Sequence, residues 1–292
     1  MTDAARPTPV LEVGGTHVTA ALVSRGDGER ARVIERHRAH LDSAGDAASI
    51  LAGIAAAGAR LGVAGPVTWG VAIPGPFDYA TGVGRFDGVA KFESLDGVDV
   101  GAALRADLVG VMSGVVFVND ATAFALGECA VGAGQGRRRV VGITIGTGIG
   151  SAFVADGIPV ESGDFVPPRG WMHLVEYDGA PLEEVVSRRA MRAAYRRDSG
   201  ELIDIHEIAD RARAGDRGAS EVFGRTMTVL GRALAPWIER FEAEAVVVGG
   251  SIAGSWDLIE GPLLGALTDP RVTVLRASLG EDASIIGTAA SV

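Results

Sequence analysis

Two apolar segments of the chain are interrupted by small residues where a strand pattern would otherwise continue. They are LEVGGTHVTAALV, with Gly14, Gly15 and Thr16, and TIGTGIGSAFVADG, with Gly146, Thr147 and Gly148. Glycine inside a strand marks a bulge or a place where a ligand or another backbone comes close. Backbone N–H groups exposed in such a bend can bind phosphate oxygens without a cationic side chain. We interpret both segments as phosphate-binding hairpins, with an ordinary bulge or tight turn as the alternative for each.

A carboxylate stands between a strand pattern and a helix pattern in the middle of the chain. Asn119 and Asp120 follow the apolar GVVFV and precede ATAFALGE. The carboxyl ends of strands are where α/β sheets usually bind ligands, although Asn and Asp are also preferred helix N-caps. Because a predicted phosphate hairpin follows in the sequence, we interpret Asp120 as a general base that takes the proton of a substrate hydroxyl.

The segments around these residues alternate strand and helix patterns, which predicts an α/β fold. Three strands at the start are followed by helix, strand and helix, and the alternation restarts at residues 114–120. In the second half we expect one helix over 181–197 and a longer helix over 219–241. This order is typical of mixed sheets covered by helices on both faces.

The two glycine-interrupted hairpins, one early in each half, predict two related lobes with a cleft between them. The expected N-terminal lobe covers residues 1–118 and is joined by the C-terminal helix 282–292, and the expected C-terminal lobe covers 119–281. No segment rich in proline, serine or charge separates the halves. We therefore expect the lobes to pack closely and to hinge at a few residues.

Composition excludes several classes of protein. The net charge of −10 provides no basic face for nucleic acid or an anionic membrane. No segment reaches the roughly 18 consecutive apolar residues of a membrane span. The start MTDAARPTPV lacks the basic and apolar regions of a signal peptide, so a cytoplasmic protein is expected.

Two residue types occur once each. Lys91 is the only lysine among 27 basic residues, so neither the P-loop of nucleotide-binding proteins nor the lysine strand of protein kinases can be present. Cys129 is the only cysteine, which rules out an intramolecular disulfide and a cysteine-rich zinc site. We interpret Cys129 as a small helix-packing residue.

Six segments together resemble the ROK family of sugar kinases and repressors, within the sugar kinase/Hsp70/actin superfamily. They are EVGGT, AIPGPFDYATG, VNDATAFALGE, ITIGTGIGSAFVADG, VVVGGS and DASIIGTAA. Their order over nearly the whole chain is far more specific than any one of them. The resemblance implies an actin-like fold with two lobes, ATP and Mg²⁺ in the cleft, transfer of the γ-phosphoryl group to a sugar hydroxyl, and a homodimer.

The resemblance also implies roles for individual residues. Asp120 would be the base, and Asn119 and Gly75 would contact the substrate. Thr147 and its neighbouring glycines would hold phosphate, and Gly249 and Gly250 would lie near the adenosine.

Two departures from the family pattern concern bound ions. Glu12 stands where the opening motif of the family has aspartate; we interpret it as a ligand of Mg²⁺ through water, with an ordinary strand-end acid as the alternative. In PPRGWMHLVEYDGAPLEEVVS the cysteines that bind structural zinc in the family are absent, so no structural zinc is expected.

The sugar-contacting segments depart as well. His173 and Glu183 match the histidine and the later glutamate of the family and are predicted substrate contacts, whereas Gly170 and Met172 replace a glutamate and a glycine. GRFDGVAKFESLDG does not reproduce the asparagine-containing loop that meets the hexose. Loss of a hydroxyl-reading group shifts specificity strongly, so a ring other than glucose is expected.

The sequence therefore predicts an ATP-dependent kinase that phosphorylates a hydroxyl of a hexose or hexose-like ring. A cyclitol or amino-sugar kinase is the alternative within the class, and polyphosphate is the alternative donor. A catalytically silent sugar sensor would keep the fold and lose the base. A ROK repressor would need a DNA-binding helix-turn-helix ahead of Glu12, which only eleven residues precede.

Overall fold

The structure, a computed structural model, describes residues 6–25, 30–267 and 269–292. The described residues contain fourteen strands: β1 (Thr8–Val13), β2 (His17–Ser24), β3 (Arg32–His40), β4 (Val67–Ile73), β5 (Phe77–Asp78), β6 (Val83–Gly84), β7 (Met112–Asn119), β8 (Arg139–Ile145), β9 (Ile149–Ala155), β10 (Ile158–Pro159), β11 (Glu176–Tyr177), β12 (Ala180–Pro181), β13 (Ala245–Gly249) and β14 (Thr273–Arg276). The expectation about a signal peptide falls partly on residues 1–5, which lie outside the described residues.

Eight α-helices accompany the strands in the described residues: α1 (Ala47–Gly58), α2 (Val100–Asp107), α3 (Asp120–Val131), α4 (Arg188–Ser199), α5 (Ile205–Arg213), α6 (Arg217–Phe241), α7 (Trp256–Ala266) and α8 (Asp282–Ala290). Five of them begin after a side chain that accepts an N–H bond from the first turn: Asp46, Asp99, Ser187, Asp204 and Asp216. Such caps satisfy backbone donors that a helix start leaves without a partner.

The chain divides into two compact units. The first comprises Met1–Val131 with Glu281–Val292, and the second comprises Gly132–Gly280. These units differ from the predicted lobes in one element, because α3 belongs with the first unit instead of opening the second. Each unit has its own apolar core, formed by residues between Leu11 and Phe117 in the first and between Val141 and Val274 in the second.

The two units contain sheets of the same topology. In the first unit the strand order is β3-β2-β1-β4-β7, and in the second it is β10-β9-β8-β13-β14. In each sheet the first three strands pair antiparallel, and the last two add in parallel beside the first. The predicted relation between the halves is thus seen as a repeated five-stranded sheet, and the connection between its first two strands is a glycine turn in both.

Helices α3 and α8 of the first unit pack in close backbone contact. A Cβ on Gly127 of α3 would lie 1.9 Å from the carbonyl oxygen of Ala283, and a Cβ on Gly287 of α8 would lie 1.8 Å from that of Ala123. Neither carbonyl can move without distorting its own helix. Because α3 begins at Asp120, this packing also fixes the position of that residue.

We expect Gly287→Ala to lower the free energy of unfolding by about 3 kcal/mol, since an added methyl group must separate two packed backbones. Chemical denaturation measures the change. The matched control is Gly224→Ala in α6, where nothing lies within 4 Å of the added Cβ and where alanine should stabilise the helix by roughly 0.5 to 1 kcal/mol. Equal stability of the two variants would contradict the close packing of α3 and α8.

In the part of the chain that the structure describes, none of the helices combines the length and the apolar character that crossing a membrane requires. The cytoplasmic location stays a prediction.

The thiol of Cys129, on α3, is half-buried, and its burial raises its pKa to about 12.

Candidate functional site

The first glycine turn, Gly14–Thr16, connects β1 to β2. Its first N–H group is used internally, since Gly14 donates to the carbonyl oxygen of His17 at 2.8 Å. The N–H groups of Gly15 and Thr16 have no hydrogen-bond partner among the described residues. Two adjacent donors are therefore available to an anion at this turn.

The second glycine turn, Gly146–Gly148, connects β8 to β9 and repeats this arrangement. Gly146 donates to the carbonyl oxygen of Gly148 at 2.9 Å. The N–H groups of Thr147 and Gly148 form no hydrogen bond within the described residues. Both turns thus use one N–H internally and present the next two, which is the arrangement that cradles phosphate oxygens.

Asp120 begins α3 directly after β7. Its Oδ1 accepts a hydrogen bond from the N–H of Ala121 at 2.9 Å, and the residue is exposed to solvent. Although part of the residue reaches solvent, burial of the carboxyl raises its pKa above the usual aspartate range, while backbone hydrogen bonds, the positive charge of Lys91 and a hydrogen bond from Asn119 act in the opposite direction. A solvent-accessible carboxylate with a raised pKa is suited to accept a proton from a hydroxyl.

Asn119 is held on both sides of its amide. Oδ1 accepts hydrogen bonds from the N–H groups of Ala121 at 3.0 Å and Thr122 at 3.3 Å, so the side chain caps α3. Nδ2 donates to the hydroxyl of Tyr79 at 3.0 Å, and that hydroxyl donates to the carbonyl oxygen of Ile73 at 3.2 Å. The N-cap alternative therefore describes Asn119, whose side chain also hydrogen-bonds the carboxylate of Asp120. Sequence reasoning did not identify Tyr79.

Glu12, near the end of β1, is a partly buried carboxylate held by a serine. The hydroxyl of Ser284, on α8, donates to Oε1 of Glu12. Burial raises the pKa of Glu12, the negative charges of Glu281 and Asp120 raise it further, and the hydrogen bond from Ser284 opposes them. The sequence carried no signal for this serine, because the two residues are 272 positions apart.

The donor set around Glu12 fits Mg²⁺. The negative charge of Asp120 raises the pKa of Glu12, and a divalent cation at Glu12 would offset this repulsion. Mg²⁺ in phosphoryl-transfer sites is usually held by one or two carboxylates together with waters and substrate phosphates. No group of three or more His, Cys, Asp or Glu side chains that could hold a metal occurs within the described residues. The expected absence of structural zinc stays a prediction.

Glu183 lies against the second glycine turn. Its Oε2 accepts a hydrogen bond from the N–H of Ile149 at 3.1 Å, and a Cβ on Gly148 would lie 2.2 Å from the same oxygen. Glycine at position 148 therefore makes room for the carboxylate. Oε1 of Glu183 has no hydrogen-bond partner among the described residues and is available to a ligand.

His173 belongs to an aromatic stack in the second unit. Its ring stacks on Trp171 with centroids 5.4 Å apart, and the guanidinium of Arg169 lies 5.1 Å from the centroid of Trp171. The hydroxyl of Ser151, on β9, donates to the carbonyl oxygen of Gly170 at 2.6 Å and accepts from the N–H of Met172 at 2.7 Å. Gly170 and Met172, which flank Trp171, are buried. Neither therefore presents a polar side chain to a sugar.

The remaining predicted glycines follow strand ends. Gly249 ends β13 and pairs with Thr144; Gly250 follows with a φ of 83°, and a Cβ on it would lie 2.4 Å from the carbonyl oxygen of Ile145. Gly250 therefore packs beside the second glycine turn. Gly75 follows β4, whose last residue pairs with Asn119 on β7.

Within the first unit the structure gathers Glu12, the first glycine turn, Gly75, Asn119 and Asp120 along the ends of neighbouring strands. Within the second unit it gathers the second glycine turn, Glu183, Gly249 and Gly250. His173 lies on the segment that Ser151 holds to β9.

Two named relatives are similar to this chain in sequence, and one solved structure is similar to it in fold. A glucokinase of Thermotoga maritima is 34% identical over 251 residues, which cover 75% of this chain and 77% of that protein. An N-acetyl-D-glucosamine kinase of Pectobacterium carotovorum is 28% identical over 216 residues, which cover 68% of each. The crystal structure of a ROK hexokinase from Thermus thermophilus matches with a TM-score of 0.80 at 25% identity, over 98% of this chain and 97% of that one. The predicted enzyme class, a carbohydrate kinase, and the two-lobed actin-like fold are confirmed.

The family assignment rests on the chain as a whole. The ROK family model matches residues 9–292, and the chain belongs to the ROK family. The resemblance inferred from six sequence segments is thereby confirmed.

Proposed function

We propose that this protein transfers the terminal phosphoryl group of ATP to a hydroxyl of a hexose or hexose-like ring, with Asp120 as general base. The observation that carries the proposal is the repeated glycine turn, which presents two adjacent N–H groups in each unit. These donors suit a phosphate-rich cosubstrate in a chain that lacks the lysine loops of other nucleotide-binding folds. The names of the relatives support a sugar as the acceptor.

Catalysis in this proposal is mainly placement and charge stabilisation. Asp120 takes the hydroxyl proton while the hydroxyl oxygen attacks the terminal phosphorus. The Tyr79 hydroxyl and the cap of α3 keep Asn119 oriented for a substrate oxygen. Glu12 would hold Mg²⁺, which supplies charge neutralisation for the phosphates. Gly249 and Gly250 would adjoin the adenosine.

Two features favour different sugars. Relatives named glucokinase favour glucose, whereas buried Gly170 in place of the family glutamate, and buried Met172 in place of the family glycine, favour another ring. An amino sugar is the second candidate, because one relative is named for N-acetyl-D-glucosamine. A cyclitol has no such relative among those described above.

A coupled assay of ADP release across hexoses, amino sugars and cyclitols tests the proposal. We expect turnover with at least one ring and the highest kcat/KM for a ring other than glucose. Sugar binding by calorimetry without any ADP release would instead identify a silent sensor. The same preparation reports the subunit count by sedimentation, for which we propose a homodimer.

We expect Glu183→Gln to lower kcat/KM for the sugar by about tenfold to a hundredfold, because it replaces a charged acceptor with a neutral one. The glutamine oxygen can still accept the N–H of Ile149, so the second glycine turn should keep its shape. The KM for ATP is therefore expected to stay within about twofold. Steady-state kinetics with each substrate varied in turn measures both values.

The matched control is Glu184→Gln, which makes the same change at the exposed neighbouring residue. It should leave both KM values and kcat as they are. A Glu183→Gln enzyme that loses affinity for ATP and not for the sugar would assign Glu183 to the phosphate turn and contradict its predicted role as a sugar contact.

A further inference from the structure

The only lysine of the chain lies against the first glycine turn. A Cβ on Gly15 would be 3.1 Å from both Cδ and Cε of Lys91 and 3.4 Å from its Nζ. The aliphatic part of Lys91 therefore packs directly on the glycine, and any larger residue at position 15 would displace it. The ammonium group is brought to the same turn whose Gly15 and Thr16 N–H groups have no partner among the described residues.

The backbone around Lys91 is fixed to this turn by main-chain hydrogen bonds. Phe92 is fully buried, packs on Phe86 with ring centroids 5.5 Å apart, and donates its N–H to the carbonyl oxygen of Ser43 at 2.8 Å. Ser43 in turn donates its N–H to the carbonyl oxygen of Gly15 at 3.3 Å. Phe92 has a φ of 61°, which turns the chain sharply after Lys91. The buried neighbour Phe92 thus holds the backbone of Lys91 at the first glycine turn.

Lys91 forms no ion pair with the described residues. Among the described residues no carboxylate lies within 4 Å of its Nζ, while its charge does act on Asp120. An exposed cation that packs its stem on a phosphate-type turn has the surroundings of a group that meets an anion.

We propose that Nζ of Lys91 binds the phosphoryl group as it passes from the donor to the sugar hydroxyl. The inference rests on the proposed function and adds a catalytic residue to it. The sugar oxygen forms its bond to phosphorus, the bond from phosphorus to the bridging oxygen of the donor breaks with its electron pair on the leaving phosphate, and Asp120 takes the hydroxyl proton. Lys91 stays protonated throughout and stabilises the charge of the transferring group.

Amine labelling tests contact without relying on turnover. Lys91 and the chain's N-terminal amine are the only primary amines, so acetylation by acetic anhydride followed by mass spectrometry reports on each separately. AMPPNP with Mg²⁺, and in a second arm tripolyphosphate with Mg²⁺, should slow labelling of Lys91 at least about tenfold and leave the N-terminal amine unchanged. The two arms distinguish a nucleotide from a polyphosphate donor.

Calorimetry separates the possible failures. Unchanged labelling of Lys91 while calorimetry shows AMPPNP or tripolyphosphate bound would overturn the role of Lys91 and leave the proposed function standing. Binding of neither compound would overturn the proposed function and this inference with it.

Three substitutions test the chemical role. Lys91→Met keeps the length of the side chain and should lower kcat by about 10², with the Kd for the sugar unchanged. The kcat of Lys91→Ala should be lowered equally. It should recover at least about tenfold when ethylammonium is added, because the freed space admits a cation. Lys91→Met has no such space and should not respond, and Lys91→Arg should retain part of the activity.

The matched control is Arg85→Met, which removes an exposed cation from the same segment, one that lies 3.5 Å from Asp78. It should leave kcat unchanged. Wild-type kcat in Lys91→Met, or loss of activity in Lys91→Ala that ethylammonium does not restore at an unchanged melting temperature, would overturn the assignment.

Discussion

The Asp120→Asn variant is expected to lose about 10² to 10⁴ in kcat while it keeps its fold and binds AMPPNP as the wild type does. Asparagine retains the oxygen that accepts the N–H of Ala121, so the start of α3 should be undisturbed. It cannot take a proton from the sugar hydroxyl at neutral pH. Turnover, the melting curve and calorimetry with AMPPNP, measured on the same preparation, separate the chemical effect from a structural one.

The pH dependence of kcat gives a second readout for Asp120. The surrounding protein raises the pKa of this carboxyl, and the base is active only when deprotonated. As pH falls, kcat should therefore decline at a pH above the usual aspartate range, whereas the same protonation of Asp120 should add to the stability of the fold. The Asp120→Asn variant should lack this acid limb.

Asp99→Asn serves as the control for Asp120→Asn. Asp99 also precedes a helix of the first unit, where its carboxylate accepts the N–H of Ala102 at 2.7 Å. Asparagine is an equally good N-cap, so the control should match the wild type in stability and kcat. An Asp120→Asn enzyme with more than half of the wild-type kcat would exclude the general-base role.

The fold was predictable where glycine interrupts an apolar pattern. Strand patterns on both sides of Gly14–Thr16 and Gly146–Gly148 predict hairpins, and each hairpin proves to be the first two strands of a five-stranded sheet. The number of strands per sheet and their common order were not predicted. Both depend on pairing between segments far apart in sequence, which local patterns do not encode.

The prediction was less accurate between β10 and α6. The helix expected over 181–197 begins at Arg188, because Leu182–Glu184 forms a short 3₁₀ turn and Ser187 caps α4. Helix α5 (Ile205–Arg213) was missed, although Asp204 accepts an N–H bond at its start. Its short amphipathic pattern is stabilised mainly by packing on α6, and such tertiary stabilisation is invisible in a nine-residue segment.

For the candidate site, the sequence indicated which residues could act in it. It did not indicate which other residues they contact. A carboxylate at a strand end and glycines in a hairpin carry local signals. The bonds from Ser284 to Glu12 and from Asn119 to Tyr79 join separate elements, so only the folded chain shows them. Lys91 was noticed as the only lysine, and its contact with Gly15 needed the structure as well.

We expect Glu12→Gln to lower kcat by about 10² and to raise the Mg²⁺ concentration needed for half-maximal rate at least about tenfold. Glutamine can still accept the hydrogen bond from Ser284, so the change removes the charge and little else. The negative charges of Glu281 and Asp120 near Glu12 also mean that removing one carboxylate should not destabilise the fold. Titration of kcat with Mg²⁺ at saturating sugar measures the effect, and the melting curve without Mg²⁺ checks stability.

Two further variants decide what the effect of Glu12→Gln means. Ser284→Ala keeps the carboxylate and removes its hydrogen bond, so it should produce the same shift in Mg²⁺ dependence at a smaller size, about threefold to tenfold. Glu35→Gln, on β3, makes the same charge change at a carboxylate that pairs with His37 at 2.8 Å, and it should leave the Mg²⁺ dependence unchanged. A Glu12→Gln enzyme with wild-type Mg²⁺ dependence would make Glu12 an ordinary strand-end acid.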